Sequence, residues 1–369
     1  MRVIVTGGGT GGHIYPALAI AERILADMPG SEVLYVGCDN GLENNIVPTT
    51  SIPFKTIPAK GLPRKLTPAL VRSLLINSKG VMEARRTIRD FKPDLVVGTG
   101  GFVCGPTVLM ACMNHVPAMI HEQNAYPGMT NRMLAGRVNK VMINYPEASR
   151  FFVKAKETVL TGLPVREDIG KLSREEGCAK FGLDPAKKTV LITGGSRGAR
   201  TINRVCALAL SSMLDNPGVQ VIFITGKAGY VETSLLLKDS DSSVLRNERL
   251  CFLEYTHEMP YALAAADVVI GRAGATFLAE IAACGLPGIL VPYPYASDNH
   301  QQFNAQAVVD AGAGKMILDN EMTVPKLMQA LDSFLGDAAY YEAKKNAMQA
   351  LARPSALDDI MLLVSSFAK

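Results

Sequence analysis

Several features that would place a protein in a familiar class are scarce here. The 38 basic and 34 acidic residues leave a formal net charge of only +4, which is too small to indicate nucleic-acid binding. The seven cysteines include no C-x-x-C pair, and an odd number without a framework favours a reducing compartment. No apolar run reaches the roughly 18–20 residues that a membrane-spanning helix needs, and no secretory segment precedes the first predicted strand. The sequence predicts a protein of the cytosol or of a membrane's cytosolic face.

Residue patterns that bind metals are also scarce. Asp239 and Asp241 form a D-x-D pair, but no predicted strand leads into it and Ser and Asp surround it, which predicts a surface loop. No other spacing of His, Cys, Asp or Glu matches a metal site. The sequence predicts neither a bound metal nor a cofactor.

Length and periodicity predict two α/β domains. A chain of 369 residues exceeds the roughly 250–300 at which one hydrophobic core usually splits. Short apolar runs alternate with helical patterns in both halves, which is typical of doubly wound parallel sheets. Gly and Pro interrupt both periodicities at residues 161–166, where we predict the boundary. The predicted strands are 3–6, 33–36, 94–98, 118–121 and 141–143, then 189–193, 221–225, 250–253, 267–270 and 288–291.

A glycine-rich loop follows the first strand and has two interpretations. Gly7, Gly9 and Gly12 spell G-x-G-x-x-G, and Asp39 follows the second strand, as in dinucleotide-binding domains. However, the loop is unusually dense in glycine and ends in His13 at a helix start, where the helix dipole disfavours the charged imidazole. A neutral His13 could accept a proton, or it could only close the loop by bonding to the backbone.

Two loops in the second half offer anion-binding groups after strands. Residues 194–199 present the Ser196 hydroxyl and several backbone amides at a helix start, which suits a diphosphate. Residues 271–276 open another helix, on which Thr276 and Glu280 are four residues apart and share a face. Glu280 could accept the hydroxyls of a ribose, or it could only complement the helix dipole.

Polar side chains also follow buried-type strands in each half. Residues 121–124 close a strand of the first half, which makes them a candidate acceptor or catalytic site. Residues 297–304 follow strand 288–291, where open α/β sheets bind ligands, and their side-chain amides suit sugar hydroxyls.

A basic and apolar segment lies at residues 63–81. It could dock on an anionic lipid surface, or it could form a helix that faces the core and exposes a basic face to solvent. Periodicity alone favours the second interpretation. The candidate residues of a membrane patch are Arg64, Lys65, Leu70, Arg72, Leu74, Leu75 and Lys79.

Six motifs occur here in the order that one protein family shows. They are residues 7–13 with Pro16, 98–101, 121–124, 194–196 with Gly198 and Ala199, 272–275 with Glu280, and 300–301 with Asn304. Over essentially its whole length the chain resembles the MurG family, the N-acetylglucosaminyltransferases of bacterial peptidoglycan synthesis.

The resemblance implies a fold and a division of roles. It implies the GT-B fold, an α/β architecture of two Rossmann-like, doubly wound parallel-sheet domains separated by a deep cleft. Residues 1–163 would form the domain that binds the acceptor and faces the membrane, and residues 164–344 the domain that binds UDP-N-acetylglucosamine. A C-terminal helix of about residues 345–369 would pack back on the first domain.

The resemblance also implies the reaction. An inverting hexosyltransferase would move N-acetylglucosamine from UDP-N-acetylglucosamine to the 4-hydroxyl of the N-acetylmuramyl sugar of undecaprenyl-pyrophosphoryl-MurNAc-pentapeptide. This step converts lipid I to lipid II through a β-1,4 link. The protein would be peripheral on the cytoplasmic face of the cell membrane. Its candidate partners are then an anionic membrane surface and other proteins of cell-wall synthesis and cell division, and the membrane interpretation of residues 63–81 becomes the favoured one.

The family's functional positions fall on particular residues of this chain. Thr10, Gly11 and Gly12 would contact the donor and the acceptor pyrophosphate. His13 and Glu122 are alternative candidates for the general base. The family's backbone contact with uracil falls near Thr256, where the family often has a larger apolar residue. The other positions implied to bind UDP-N-acetylglucosamine are Asn124, Arg166, Ser196, Thr256, Ala275, Thr276, Phe277, Leu278, Ala279, Glu280 and Gln301.

Three other functions are compatible with parts of the sequence. A UDP-N-acetylglucosamine 2-epimerase would share the two-domain fold and the donor, but it needs no lipid-facing patch. An NAD-linked oxidoreductase would use the glycines of residues 7–12 but would leave the motif of Glu280 without a purpose. A non-catalytic scaffold would bind vesicles and release no UDP.

Overall fold

A computed structural model describes residues 1–61, 68–195 and 198–368. The chain divides into a first unit, formed by Met1–Pro164 with Arg353–Lys369, and a second unit, formed by Val165–Ala352. The chain returns to the first unit at Arg353, whereas the resemblance indicated a return at about residue 345.

In the part of the chain that the structure describes, the first unit contains a parallel sheet of seven strands. The strands are β1 (Arg2–Gly7), β2 (Glu32–Cys38), β3 (Phe54–Ile57), β4 (Leu95–Gly100), β5 (Ala118–Glu122), β6 (Lys140–Ile143) and β7 (Thr158–Leu160). Their order is β3-β2-β1-β4-β5-β6-β7. The edge strands β3 and β7 were not predicted, because they are short and only partly buried and therefore carry a weak apolar pattern.

The core of the first unit lies on both faces of this sheet. Its helices are α1 (Gly11–Asp27), α2 (Glu43–Ile46), α3 (Pro68–Phe91), α4 (Cys104–Met113) and α5 (Met129–Leu134). Val3 and Val5 are buried in one apolar cluster with Ile20 of α1, while Ile4 is buried in another with Val108 of α4. Burial on both faces explains why β1 is a continuous apolar run rather than an alternating one.

Among the residues described, the second unit contains a parallel sheet of six strands. The strands are β8 (Lys188–Thr193), β9 (Val219–Ile224), β10 (Leu250–Leu253), β11 (Val268–Gly271), β12 (Gly288–Leu290) and β13 (Gly314–Met316). The helices are α6 (Arg174–Phe181), α7 (Arg200–Leu214), α8 (Tyr230–Asp241), α9 (Met259–Ala265), α10 (Ala275–Ala283), α11 (His300–Asp310), α12 (Val324–Gly336) and α13 (Ala338–Leu351). The strand order is β10-β9-β8-β11-β12-β13. Asp239 and Asp241 lie in the last turn of α8, so the surface loop predicted there is wrong.

The last helix, α14 (Ala356–Ser365), completes the first unit. Ile360 and Val364 are buried in the same apolar cluster as Val3. Arg23 of α1 forms an ion pair of 2.6 Å with Asp358 at the start of α14. Apolar burial and this surface ion pair therefore both attach the C-terminal helix to α1.

The strand order of each sheet identifies where a ligand would bind. The order reverses between β1 and β4 in the first unit and between β8 and β11 in the second. In open α/β sheets, ligands bind beyond the carboxyl ends of the strands at such a switch point. The glycine motifs of residues 7–13, 98–101, 194–199 and 271–276 begin at or near the carboxyl ends of these strands.

Candidate active site

His13 lies in the first turn of α1 and is oriented by the loop before it. Its Nδ1 is 3.1 Å from the carbonyl oxygen of Gly8 and 3.4 Å from the hydroxyl oxygen of Thr10. A carbonyl oxygen only accepts hydrogen bonds, so this contact places a proton on Nδ1, and in the neutral imidazole the lone pair is then on Nε2. Gly100 passes beside the ring, where a Cβ would stand 3.1 Å from Nε2. The local fold therefore makes Nε2 the basic nitrogen of His13.

The residues before His13 form the N-terminus of a long helix. Thr10 has an extended backbone and caps α1, and Gly11 and Gly12 are the first residues of the helix. The first N–H groups of a helix have no acceptor within it, and the helix dipole favours a negative charge there. Thr10 is exposed and the two glycines are half-buried. This arrangement can bind a phosphate group.

Glu122, at the end of β5, is buried and fully occupied by hydrogen bonds. Its Oε1 accepts from the backbone N–H and the side-chain amide of Asn124, at 3.0 and 3.1 Å. Its Oε2 accepts from the backbone N–H of Gly128 at 3.0 Å and from the Asn131 amide at 2.9 Å. Four donors on one carboxylate hold the loop after β5 in place. This geometry favours a positioning role over proton transfer.

The other members of the polar cluster after β5 are also interior residues. The Nε2–H of His121 donates to the Gly162 carbonyl at 2.7 Å, and its Nδ1 accepts from the Gln123 amide at 3.1 Å. Burial lowers the pKa of His121 to about 4, so this imidazole is neutral near pH 7. The same amide of Gln123 donates to the Thr99 carbonyl at 2.7 Å. Gln123 therefore connects the end of β5 to β4, and His121 connects β5 to Gly162, while among the described residues the buried Oε1 of Gln123 has no hydrogen-bond partner.

In the second unit, the structure brings Arg166 and Glu280 together. The Nε and Nη2 atoms of Arg166 lie 3.1 and 3.0 Å from the same carboxylate oxygen of Glu280. Glu280 is buried, and this burial raises its pKa, while the guanidinium of Arg166 opposes that shift. Two residues that were predicted separately thus form one ion pair, in which one oxygen of Glu280 is engaged.

The N-terminus of α10 offers backbone groups and one unusual hydroxyl. Thr276 Oγ1 is buried and has no hydrogen-bond partner among the described residues. The side chain of Leu278 belongs to the apolar core, and Phe277 packs against that core. Predicted ligand contacts at these two positions can therefore come from the backbone. Ala275 begins the helix and Ala279 lies in its second turn.

Three further residues that were predicted to bind the sugar donor are Gln301, Thr256 and Ser196. Gln301 lies in the first turn of α11, and its Oε1 accepts from the backbone N–H of Tyr293 at 2.9 Å. That bond orients the amide, so its nitrogen is the end suited to a further acceptor. The Thr256 hydroxyl accepts from the backbone N–H of Glu258 at 2.9 Å. Ser196 lies outside the described residues.

The predicted membrane patch falls on α3, which exposes large apolar side chains. Leu74 and Leu75 are 52% and 63% exposed, so a helix whose apolar residues all face the core is excluded. Val71 and Met82 are exposed on the same helix and were not selected from the sequence. Arg72 and Lys79 are exposed beside them and Leu70 is half-buried, while Arg64 and Lys65 lie outside the described residues. Within the ranges described, no helix is both long and apolar enough to cross a bilayer.

Comparison with known proteins identifies the family. Residues 3–143 match the Glycosyltransferase family 28 N-terminal domain, and residues 189–360 match the Glycosyltransferase family 28 C-terminal domain. The chain belongs to glycosyltransferase family 28. Both units of this family 28 member are thus accounted for by one enzyme family.

Relatives of this family 28 chain carry a more specific name. A Desulfitobacterium hafniense protein called UDP-N-acetylglucosamine–N-acetylmuramyl-(pentapeptide) pyrophosphoryl-undecaprenol N-acetylglucosamine transferase is 47% identical over 98% of both chains. The protein of the same name from Desulforudis audaxviator is 44% identical over 100% of this chain and 99% of its own. The predictions of the family and of a glycosyltransferase are confirmed.

Solved structures agree with the predicted architecture. The crystal structure of Acinetobacter baumannii MurG matches with a TM-score of 0.79 and 28% identity over 99% of both chains. A Listeria monocytogenes protein described as a UDP-N-acetylglucosamine 2-epimerase matches with a TM-score of 0.66 but only 14% identity, over 99% of this chain and 96% of its own, so it shares the fold alone. The prediction of a GT-B fold with two Rossmann-like domains is confirmed.

Three contacts that hold the first unit's site in this family 28 chain were not predicted from the sequence. Asn131 binds the carboxylate of Glu122, the hydroxyl of Thr99 donates to the carbonyl of His13 at 2.7 Å, and Glu43 binds the backbone of Gly9. Asn131 and Glu43 belong to no motif, and the motif of residues 98–101 does not report the contact of Thr99, because each partner is brought close only by folding.

Proposed function

We propose that this protein transfers N-acetylglucosamine from UDP-N-acetylglucosamine to the 4-hydroxyl of the N-acetylmuramyl sugar of lipid I, and so forms lipid II. The observation that carries the proposal is the 47% identity to a transferase named for this reaction, over 98% of both chains. The 14% identity to the epimerase, by comparison, supports a common fold only.

His13 acts as the general base in this proposal. Its Nε2 takes the proton of the 4-hydroxyl while that oxygen forms a bond to the anomeric carbon of the donor. The bond from this carbon to the β-phosphate oxygen breaks, and its electron pair leaves with UDP. Attack opposite to the leaving group converts the α-linked donor into a β-1,4 product. The hydrogen-bonded Nδ1 of His13 supports this choice, whereas four donors already occupy Glu122.

The second unit binds the donor in this proposal. Glu280, oriented by Arg166, accepts the hydroxyls of the ribose. The backbone amides of residues 275–279 and the hydroxyls of Thr276 and Ser196 stabilise the negative charge that develops on the diphosphate. Gln301 reads the hydroxyls of the sugar, and the backbone near Thr256 contacts the uracil.

The first unit binds the acceptor and the membrane in this proposal. Thr10, Gly11 and Gly12 bind the acceptor pyrophosphate at the N-terminus of α1, and Asn124 contacts the donor. The exposed apolar side chains of α3, together with Arg72 and Lys79, insert beside anionic lipid headgroups. The protein then works peripherally on the cytoplasmic face, where cell-wall synthesis and division proteins are candidate partners.

The test measures UDP release from UDP-N-acetylglucosamine with and without lipid I in detergent micelles. We expect UDP and a disaccharide-linked lipid only when lipid I is present. Formation of the 2-epimer of the donor in the absence of lipid I would support the epimerase instead. Absence of any product with lipid I would reject the transferase.

A further inference from the structure

A buried carboxylate lies beneath the first glycine loop. Glu43, the first residue of α2, is completely buried. Its Oε2 accepts from the backbone N–H of Gly9 and its Oε1 from the backbone N–H of Cys38, both at 3.0 Å. A Cβ on Gly8 or Gly41 would collide with this carboxylate, so the backbone closes directly around it. Burying a carboxylate is costly unless hydrogen bonds compensate it, and the two backbone N–H groups provide that compensation.

The hydrogen bonds of Glu43 and His13 meet on one peptide group. The N–H of Gly9 and the C=O of Gly8 belong to the same peptide bond, whose atoms lie in one plane. Glu43 accepts from the N–H of this group, and Nδ1–H of His13 donates to its C=O at 3.1 Å. A peptide that donates to an anion becomes a stronger acceptor at its oxygen. The carboxylate thus strengthens the bond that keeps the proton on Nδ1.

Two further contacts hold the imidazole in this place. The hydroxyl of Thr99 donates to the backbone carbonyl of His13 at 2.7 Å. Gly100, with a φ of 106°, runs beside the ring, and a Cβ there would be 3.0 Å from Cδ2. These contacts restrain the backbone and the ring plane. The Gly8 carbonyl, which can only accept, favours the proton on Nδ1.

We propose that Glu43 is a positioning residue that sets the tautomer of His13 through the peptide bond between Gly8 and Gly9. The arrangement corresponds to the carboxylate that orients histidine in hydrolytic triads, with a peptide group inserted between the two side chains. Its consequence for turnover rests on the proposed function, in which Nε2 of His13 is the base. The tautomer itself can be measured whether or not that function is correct.

The experiment uses the full chain labelled with 15N-histidine and follows the ring nitrogens by NMR. The sequence has five histidines, so a His13→Gln variant identifies the His13 signals by their loss. We expect Nδ1 protonated and Nε2 unprotonated in the unmodified protein. In Glu43→Gln one acceptor oxygen is replaced by a donor, and we expect a mixture of the two tautomers. A proton on Nε2 in the unmodified protein would overturn the proposal without any Glu43 variant.

Turnover provides the second readout. We expect Glu43→Gln to lower kcat by roughly tenfold, the effect of one hydrogen bond to a charged group, with the donor KM unchanged. In a His13→Gln background the same change should lower kcat no further. A tautomer in Glu43→Gln identical to that of the unmodified protein would contradict the proposal.

Asp94→Asn is the matched control. Asp94 is a carboxylate of the same unit that accepts a backbone N–H, that of Arg2 at 2.8 Å, at the opposite end of β1. We expect it to lower the melting temperature without changing the His13 tautomer or kcat. If the tautomer depends on Glu43 but lipid I yields no product, the proposed function fails while the positioning role stands.

Discussion

The glycine loops after β1 and after β11 lie beside the switch points of their sheets, yet they use their polar groups differently. In the first loop, the amide of Gly9 and the carbonyl of Gly8 are committed to Glu43 and His13. In the second, the hydroxyl of Thr276 is buried with no partner among the described residues. In the proposed function, the first loop therefore orients one imidazole and the second offers a hydroxyl to the ligand.

The buried glutamates of the two units show the same contrast. Glu122 is satisfied by four neutral donors, which hold a loop. Glu280 pairs through one oxygen with Arg166, which itself is about half-exposed. In the proposed function, Glu122 therefore holds its loop, whereas Glu280, which faces a half-exposed cation, exchanges part of its contacts for the ribose. The same residue type thus takes opposite roles according to its neighbours.

The largest test of this contrast is His13→Gln. We expect kcat to fall by about 10²- to 10⁴-fold, the usual contribution of a general base, with a small change in donor KM. Steady-state UDP release with lipid I measures both. His115→Asn is the control, because His115 is an exposed residue with a φ of 58° that Asn tolerates. An equal loss in Glu122→Gln with intact folding would instead favour Glu122 as the base.

Glu280→Ala tests the second unit. We expect the donor KM to rise by roughly tenfold to a hundredfold, because a charge-assisted bond to the ribose is lost, with a smaller effect on kcat. Glu321→Ala, which removes an exposed ion pair with Lys326, should leave KM unchanged. An unchanged donor KM in Glu280→Ala would reject the ribose assignment.

The pH dependence of the donor KM, compared between the unmodified protein and Glu280→Gln, tests the ribose assignment further. Because burial raises the pKa of Glu280, the carboxylate takes up a proton at a higher pH than an ordinary glutamate as the solution is acidified. The neutral acid loses its ion pair with Arg166. We expect the donor KM of the unmodified protein to rise on the acid side and that of Glu280→Gln to be flat there. Parallel KM profiles for the two proteins would contradict this.

Leu74→Ser combined with Leu75→Ser tests the exposed face of α3. We expect binding to anionic lipid vesicles to weaken by roughly tenfold or more, since two apolar side chains lose their burial in lipid. Transfer to a water-soluble acceptor analogue should not change. Leu362→Ser is the control, because Leu362 is 71% exposed on α14. Equal vesicle binding by all three proteins would place the membrane contact elsewhere.

Thr276→Val has the smallest expected effect. Replacing a buried hydroxyl that lacks a partner should leave the free energy of unfolding unchanged or raise it by up to about 1 kcal/mol. The donor KM should nevertheless rise a few-fold, because the hydroxyl binds the diphosphate in the proposed function. Thermal unfolding and steady-state kinetics measure the two effects. A fall in stability would show that the hydroxyl already has a partner in the free protein.

Local sequence patterns predicted most of the strands but fewer of the contacts in the site. Nine of the ten predicted strands correspond to strands inside the two sheets, which are continuous apolar runs, and the tenth corresponds to the edge strand β10. The edge strands β3 and β7 and the short β13 were missed for lack of such a run. The interior roles of His121 and Gln123 were also missed, since a polar residue at a strand end looks the same in sequence whether it faces a ligand or the core.

The sequence by itself determined two α/β units, the places of the glycine loops and the family, because apolar runs, glycines and motif order are all local properties of the chain. Only the tertiary structure decided that Nδ1 of His13 faces the Gly8 carbonyl, that Glu122 is occupied and that Leu74 and Leu75 are exposed. Gly9 and Glu43 are 34 residues apart, and His13 and Thr99 are 86 apart. Hydrogen bonds over such separations depend on how strands are ordered in the sheet, and no spacing along the chain encodes that order.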